Sequence, residues 1–308
     1  MSDKYSYSKL DTYKQCPFKF YLNYVLGNYA YSSSIATEFG TAIHECEEKI
    51  AIALRDNKPI DYVSLKNEFI LKNIHLQIKY PKDYWEDDGK SNRNYKDKMF
   101  EYLDKSIYNL EKFMQDHPSY KIVGIEQKFN FKFSEEHNFT GAIDRAFYDS
   151  ETDTYLLQDI KSWAVEAKKE DLATPLQFVI YTLAAKELWK ATKVRCEYYL
   201  PLVENGLKQS AGTNDFIERG LEKINKLFSN ISQKDFTPNK TPLCNWCAYS
   251  RTNPEAKEEF KYLCAYHSLW ERTSRNRAEI TKSEYEWRGL EENNRIVEEY
   301  RKKFYSKG

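Results

Sequence analysis

The chain has 308 residues, with 47 acidic and 47 basic side chains and a formal net charge of zero. This length suits one large domain or two small ones, and zero net charge means that a nucleic acid would need a local basic patch. The absence of a bilayer-length apolar run and of an N-terminal signal stretch predicts a soluble, cytoplasmic protein without a membrane partner, whose six cysteines are free thiols or metal ligands rather than disulfides.

The N-terminal third of the chain is predicted to be helical. Ser8 can cap a short helix that a Cys-Pro pair at 16–17 interrupts, and an aromatic segment over 18–26 continues it. Apolar residues recur at helical spacing over about 37–55. The charged and aromatic residues of 60–118 predict a helical insertion in which no catalytic motif is found.

A β-rich block follows. Residues 122–133 alternate as a strand, and strands over 139–148 and 154–162 flank a polar turn, which predicts a β-hairpin. A helix over 174–190 and a strand over 194–202 predict a right-handed parallel crossover. The order helix, three-strand meander, helix, strand predicts an α/β fold with a mixed central sheet. The remaining predicted segments are a helix (215–231), a cysteine-cluster region (236–267) and a charged helical tail (268–308).

The predicted hairpin brings charged residues together. Its turn centres between residues 151 and 152, so Asp144 and Asp159 lie opposite each other on one face, and Lys161 shares that face. Apolar neighbours on both sides predict a covered hairpin, where two unpaired carboxylates are costly. A Mg²⁺ or Mn²⁺ ion would remove that cost and could activate water for phosphodiester hydrolysis. A solvated, exposed charged face is the alternative interpretation.

Other candidate residues each have an ordinary structural alternative. His44 can complete a metal site or be a hydrogen-bonded helix residue. Gln177 and Tyr181 face one way on their helix, yet Gln177 also fits a capping box with Thr174, and Tyr181 fits a core. Glu126 lies on the polar face of its strand, which suits either an exposed edge or an outer-shell metal role.

Four residues near the C-terminus have the spacing of a metal site. Cys244 and Cys247 form a ligand pair, and Cys264 and His267 follow. This arrangement is typical of a zinc ribbon with one histidine, so Zn²⁺ is one candidate ligand.

Taken together, the segments Gly40 to His44, Gly141 to Arg145, Asp159 to Lys161, and Gln177 with Tyr181 resemble the RecB-like nuclease family of the PD-(D/E)xK superfamily, over roughly residues 5–265. The resemblance implies one nuclease domain over 1–308. It implies a metal held by His44, Asp144, Asp159 and the carbonyl of Ile160. It also implies catalytic roles for Lys161, Asp144, Asp159, Gln177 and Tyr181, and DNA contacts from Gln177, Tyr181 and Arg145. The proline that the superfamily name places before the first aspartate is absent.

Cys16, in its Cys-Pro-Phe context, is similar to the first cluster cysteine of AddB-type helicase–nucleases and CRISPR spacer-acquisition nucleases. This similarity implies a [4Fe–4S] cluster on Cys16, Cys244, Cys247 and Cys264. The gap from Cys247 to Cys264 is longer than those families usually show, so the zinc site with His267 stays open.

The implied function is a metal-dependent DNA exonuclease acting on single-stranded or resected ends, in recombination, repair or phage DNA processing. A phage-encoded protein would act in the host cell. The chain has no Gly-x-x-x-x-Gly-Lys-Ser/Thr motif, so a motor would be a separate helicase or recombination protein. A structure-specific endonuclease that trims flaps or fragments, and a catalytically inactive DNA-binding scaffold, are the alternatives.

Overall fold

A computed structural model describes residues 3–30, 34–81, 95–162, 172–201, 203, 206–210, 215–239 and, with short gaps, 241–305. Its contacts divide the chain into two units: Met1–Tyr7 with Ser33–Lys223, and Ser8–Ser32 with Ile224–Gly308. One nuclease domain over 1–308 stays a prediction. The second unit joins residues near the N-terminus with the C-terminal region, as the implied grouping of Cys16 with the C-terminal cysteines requires.

The described elements are named here in chain order. They are β1 (Asp3–Tyr5), α1 (Tyr7–Gln15), α2 (Pro17–Phe20) continued by a π-helical turn (Tyr21–Val25), α3 (Ile35–Arg55), α4 (Tyr62–Lys79), α5 (Tyr95–Asp116), β2 (Tyr120–Lys132), β3 (His137–Asp149), β4 (Thr154–Ile160), α6 (Leu176–Trp189), β5 (Lys193–Leu200), β6 (Leu207–Ser210), α7 (Phe216–Ser232), β7 (Ser268–Ser274), β8 (Arg277–Ser283) and α8 (Leu290–Tyr305). Within the described part of the chain, no helix has the length and apolar character needed to span a bilayer.

A mixed sheet of six strands, counted over the described residues, is the centre of the first unit. β2, β3 and β4 form the predicted antiparallel meander, and β4 pairs in parallel with β5 after the α6 crossover. The prediction of an α/β fold with a mixed sheet is therefore confirmed. The sequence missed two short edge strands: β1, which is parallel to β3, and β6, which is antiparallel to β5.

Apolar residues of α3, α4 and α5 pack against one face of this sheet. Ile43 and Ile50 of α3 and Leu156 of β4 belong to the same buried cluster. The helices begin where side chains satisfy free backbone amides: Ser34 accepts a hydrogen bond from the amide of Thr37 at the start of α3. Residues 60–118 are thus helical where they are described, as predicted.

The predicted hairpin register is confirmed. Asp149 pairs with Thr154 and Arg145 pairs with Gln158, so the turn lies where the sequence places it. Continued by one residue, this register sets Asp144 opposite Asp159. The sheet geometry on which the site prediction depends is therefore present.

The prediction of a helical tail over 268–308 is wrong in part. Among the described residues of this range, β7 and β8 pair as antiparallel strands, and α8 is helical. The high charge of this segment favours a solvated helix in a sequence-based interpretation. Charge content does not reveal that two short strands pair with each other.

Gly141 occupies a position on β3 where another strand's side chain comes very close. It pairs with Phe129 of β2, and a Cβ at Gly141 would lie 2.7 Å from Cζ of the Phe129 ring. The same ring meets Tyr181 edge-on, with centroids 6.2 Å apart. The absence of a side chain at Gly141 therefore lets Phe129 pack between β3 and α6.

We expect Gly141→Ala to lower the free energy of unfolding by about 1–3 kcal/mol, because the added methyl group must displace the Phe129 ring. Urea unfolding measures this loss. In a Phe129→Leu background the ring is gone, so the same glycine substitution should cost much less. Additive losses in this double-mutant cycle would contradict the explanation.

Candidate metal-binding active site

Four segments of the first unit bring the candidate residues together. His44 lies on α3, Asp144 on β3 and Asp159 on β4, and Lys161 follows directly after β4. α6 packs against the sheet and contributes Gln177 and Tyr181. The sequence-predicted set is therefore assembled around one end of the central hairpin.

A compact set of potential metal ligands surrounds His44. Its Nδ1 lies 3.6 Å from Oδ2 of Asp144 and 3.7 Å from Oε1 of Glu126. One ligand atom from each of the three residues falls within 4.8 Å of the others. An imidazole with two carboxylates suits Mn²⁺ or Mg²⁺. The amide of Ile160 donates a 2.7 Å hydrogen bond to Oδ2 of Asp144 and holds that carboxylate in place.

Glu126 reaches this set through an irregularity in β2. The pairing register shifts between Ile122 and Gly124, and Glu126 has a φ of +43°, in the left-handed region that side chains rarely adopt. Such irregularities re-aim side chains beside functional sites. Sequence reasoning left Glu126 between an exposed edge and an outer-shell role, because strand alternation gives no sign of this local distortion.

Burial and crowding of negative charge make the site receptive to a cation. Burial, followed by the charge of Asp159, raises the pKa of Asp144 to about 7. Burial lowers the pKa of His44, but its hydrogen bond to Glu126 and the charges of Asp144 and Asp159 raise it more, and the net shift is upward. Near neutral pH the site therefore retains protons that a divalent cation would displace. His44, Glu126 and Asp144 therefore fit a divalent metal ion.

Asp159 interacts with a different group of side chains. Its Oδ1 accepts hydrogen bonds from Nε2 of Gln177 at 2.5 Å and from the hydroxyl of Tyr181 at 3.4 Å. Its Oδ2 lies 2.7 Å from Nζ of Lys161. The two groups form an ion pair, but their relative orientation is not that of a hydrogen bond. The structure thus groups Glu126, rather than Asp159, with His44 and Asp144. Metal ligation by Asp159 and by the Ile160 carbonyl stays a prediction.

The side chain of Gln177 points into this site and does not cap its helix. α6 begins at Leu176 with Pro175 as N-cap, and no side chain caps it. Nε2 of Gln177, which donates to Asp159, also donates to the Tyr181 hydroxyl at 3.1 Å. Burial, followed by the charge of Asp159, raises the pKa of Tyr181, so its hydroxyl stays protonated and donates. The capping-box interpretation is wrong, while DNA contact by Gln177 and Tyr181 stays a prediction.

The prediction that Arg145 contacts DNA is wrong. Arg145 is 2% exposed, and its Nη1 donates a 2.6 Å hydrogen bond to Oε2 of buried Glu47. Successive strand residues point to opposite faces of a sheet, so Arg145 faces away from its neighbour Asp144. A side chain enclosed on that face cannot reach a substrate at the site.

A cavity of about 570 Å³ lies beside the ligand set. Its lining includes His44, Glu126, Ser162 and the first turns of α3 around Gly40. A Cβ at Gly40 would lie 3.2 Å from Oγ of Ser162, so the glycine lets the segment after Lys161 approach α3. His44 and Glu126 are therefore accessible from this cavity.

The second unit contains a separate group of cysteines. Cys16, Cys244, Cys247 and Cys264 all line one small cavity, and none of them forms a disulfide. Cys16 caps α2, where its Sγ accepts a hydrogen bond from the amide of Lys19 at 3.5 Å. His267, the fourth ligand of the zinc alternative, lies outside the described residues.

Removal of the Asp144 charge tests the metal site. The pKa of Asp144 is about 7 in the folded protein, compared with 3.8 for an ordinary aspartate. Between these values the folded protein holds a proton that the unfolded chain has lost, so the metal-free protein should lose stability as the pH rises from about 4 to about 7. Asp144→Asn removes the buried charge, so in EDTA at pH 8 we expect it to raise the free energy of unfolding. Each 1 kcal/mol gained should raise Tm by about 2–4 °C. Mn²⁺ should then stabilise the wild type but not the variant, as measured by calorimetry.

Asp153→Asn is the matched control, because Asp153 is an exposed turn residue whose left-handed conformation asparagine also adopts. It should keep the wild-type response to Mn²⁺. Equal stabilisation of Asp144→Asn and wild type by Mn²⁺ would contradict the assignment of Asp144 as a ligand.

Comparison with known proteins adds to this geometry. Residues 4–252 match the model of the PD-(D/E)XK nuclease superfamily. A crystal structure of a "Putative exonuclease" from Eubacterium rectale is similar at 11% identity, with 82% of this chain and 89% of that chain covered and a TM-score of 0.46. The crystal structure of SSO0001 is similar at 12% identity, with 60% and 81% covered and a TM-score of 0.27. A search of the curated proteins found no significant match. Because the family model covers most of the chain, the protein belongs to the PD-(D/E)XK nuclease superfamily.

Proposed function

We propose that the protein is a divalent-metal-dependent DNA exonuclease. The observation that supports this proposal is the juxtaposition of two groups: the ligand set of His44, Glu126 and Asp144, and the pair of Lys161 with Asp159 on the same hairpin. Metal ligands beside a lysine are the components that phosphodiester hydrolysis requires. The resemblance to RecB-like nucleases favours action on single-stranded or resected ends, in recombination, repair or phage DNA processing, with any helicase as a separate protein.

A bound Mg²⁺ or Mn²⁺ would supply a Lewis acid for the phosphate and a water of lowered pKa. His44, Glu126 and Asp144 would hold the ion. Lys161, 2.7 Å from Asp159, places a positive charge where negative charge develops on the phosphate. Gln177 and Tyr181 keep Asp159 oriented through their hydrogen bonds to Oδ1, so this carboxylate positions the Lys161 ammonium group.

Loss of the Lys161 charge should abolish nuclease activity without loss of DNA binding. We expect Lys161→Ala and Asp159→Ala to cut the rate of hydrolysis of end-labelled DNA by about 10²-fold or more, while a gel-shift assay shows DNA bound as by the wild type. Lys112→Ala is the matched control, because Lys112 is an exposed residue of α5. It should retain full activity.

The mode of cleavage is tested by a substrate without ends. We expect linear DNA to be degraded to nucleotides and short fragments, while covalently closed circles stay intact. Cleavage of the circles would contradict the exonuclease proposal and support an endonuclease that trims flaps or fragments. A wild-type protein that degrades no DNA with either Mg²⁺ or Mn²⁺ would leave only the DNA-binding scaffold.

We further propose that the second unit holds a [4Fe–4S] cluster on Cys16, Cys244, Cys247 and Cys264. The shared cavity supports this proposal. Four thiolates are the ligand set that such a cluster requires, whereas the zinc alternative uses His267 in place of Cys16.

Metal analysis of anaerobically purified protein tests the cluster. We expect brown protein with about four irons per chain, and we expect Cys16→Ser to lose both iron and colour. Cys46→Ala is the matched control, because Cys46 is a buried thiol of the first unit. Colourless protein that keeps zinc in the Cys16→Ser variant would establish the site with His267 instead.

A further inference from the structure

A buried charged network lies on the face of the sheet opposite the candidate active site. Arg145 is its centre: Nε donates to Oε1 of Gln158 at 2.8 Å, and Nη1 donates to Oε2 of Glu47 at 2.6 Å. Nε2 of Gln158 in turn donates to Oε1 of Glu197 at 2.5 Å. All four residues are at most 5% exposed.

Arg145 and its two hydrogen-bond partners each lie on an element that also carries a site residue. On β3, Arg145 follows Asp144, and on β4, Gln158 precedes Asp159. On α3, Glu47 lies three residues, or nearly one turn, after His44. Because alternate strand residues face opposite sides, one guanidinium group joins α3, β3 and β4 underneath the positions at which their site residues emerge.

The environment of Arg145 fixes its orientation. Its guanidinium carbon lies 4.9 Å from the ring centroid of Tyr199 and 5.6 Å from that of Phe147. The hydroxyls of Tyr102 and Ser106 both donate to Oε1 of Glu47. The planar fork of arginine, with its donors in fixed directions, is suited to hold two acceptors at one spacing.

Stability alone does not account for this network. A buried ion pair must offset the desolvation of both charges, and an apolar replacement of similar volume is often as stable or more so. A geometric role is different, because an apolar side chain can fill the same volume but cannot fix the direction of two neighbouring elements.

We propose that Arg145 is a positioning residue: its two hydrogen bonds set the spacing of α3, β3 and β4, and thereby the arrangement of His44, Asp144 and Asp159 that binds the cation. This inference rests on the proposed function, since it assumes that these residues form a divalent-metal site. Loss of the fork should weaken metal binding even in a protein that is fully folded.

The test measures Mn²⁺ binding by titration of free Mn²⁺ with electron paramagnetic resonance, without DNA and without turnover. Arg145→Lys keeps the charge and removes the fork. The double variant Arg145→Met with Glu47→Leu removes both charges together and leaves neither unpaired. We expect Kd for Mn²⁺ to rise by about 10-fold or more in both, in the range known for outer-shell changes, while circular dichroism shows native folding.

Leu110→Ala is the matched control for a general loss of stability. Leu110 is a buried core residue of α5 and takes no part in the hydrogen bonds described for Arg145. It should lower Tm while Mn²⁺ affinity stays within twofold of the wild type. If the Arg145 variants do not fold, Gln158→Met, which keeps the Arg145–Glu47 pair but removes the hydrogen bonds of Gln158 to Arg145 and Glu197, should show the same weaker binding.

The outcomes separate the inference from the function on which it rests. A wild-type protein that binds no Mn²⁺ would overturn the proposed metal site itself. A wild-type protein that binds Mn²⁺ while the folded Arg145 or Gln158 variants bind it within twofold of the same affinity would overturn the positioning role and leave the metal site intact. Equal weakening by Leu110→Ala would overturn it as well, because the effect would then follow stability alone.

Discussion

The antiparallel register between β3 and β4 is the constraint on which the rest of the site depends. It fixes Arg145 opposite Gln158, and so places Asp144 and Asp159 side by side. A shift of one residue would set Asp144 opposite Gln158 or Ile160 and leave the two aspartates on opposite faces of the sheet, because directly opposed residues share a face. The tight turn and the apolar residues on both faces of the hairpin enforce this register, because any other would bury charge without partners.

Two groups of charges lie on either side of the same hairpin, and they differ in how they are balanced. On the α3–α5 side, Arg145 meets Glu47 directly, and Lys208 lies near Glu197. In the other group, Glu126, Asp144 and Asp159 are accompanied by Lys161 and by His44, which reaches them from α3. Negative charge is in excess there, and burial together with the charge of Asp159 raises the pKa of Asp144. The first group is complete as a structural element, whereas the second is arranged to receive a cation.

The two units contain different chemistry. The first holds hard oxygen and imidazole ligands suited to Mg²⁺ or Mn²⁺. The second brings four soft thiol ligands to one cavity, where burial raises the pKa of Cys247 to about 11. A metal that binds these thiolates must displace their protons. Membership of the PD-(D/E)XK nuclease superfamily accounts for the first group of ligands, whereas a metal on the thiols of the second unit is a proposal that metal analysis tests.

The order of the main elements, the hairpin register and the pairing of Asp144 with Asp159 could be predicted from the amino acids alone, because they follow from local turn position and strand alternation. The same alternation already places Arg145 on the opposite face, so its assignment to DNA contradicted a rule that the sequence contained. The grouping of Cys16 with the C-terminal cysteines was likewise already implied by the family resemblance. The position of Glu126 beside His44 required the tertiary structure, because strand alternation does not reveal the left-handed backbone conformation of Glu126 in an irregular strand. The edge strands β1 and β6 also required it, because pairing between distant segments leaves no periodic signal in the chain.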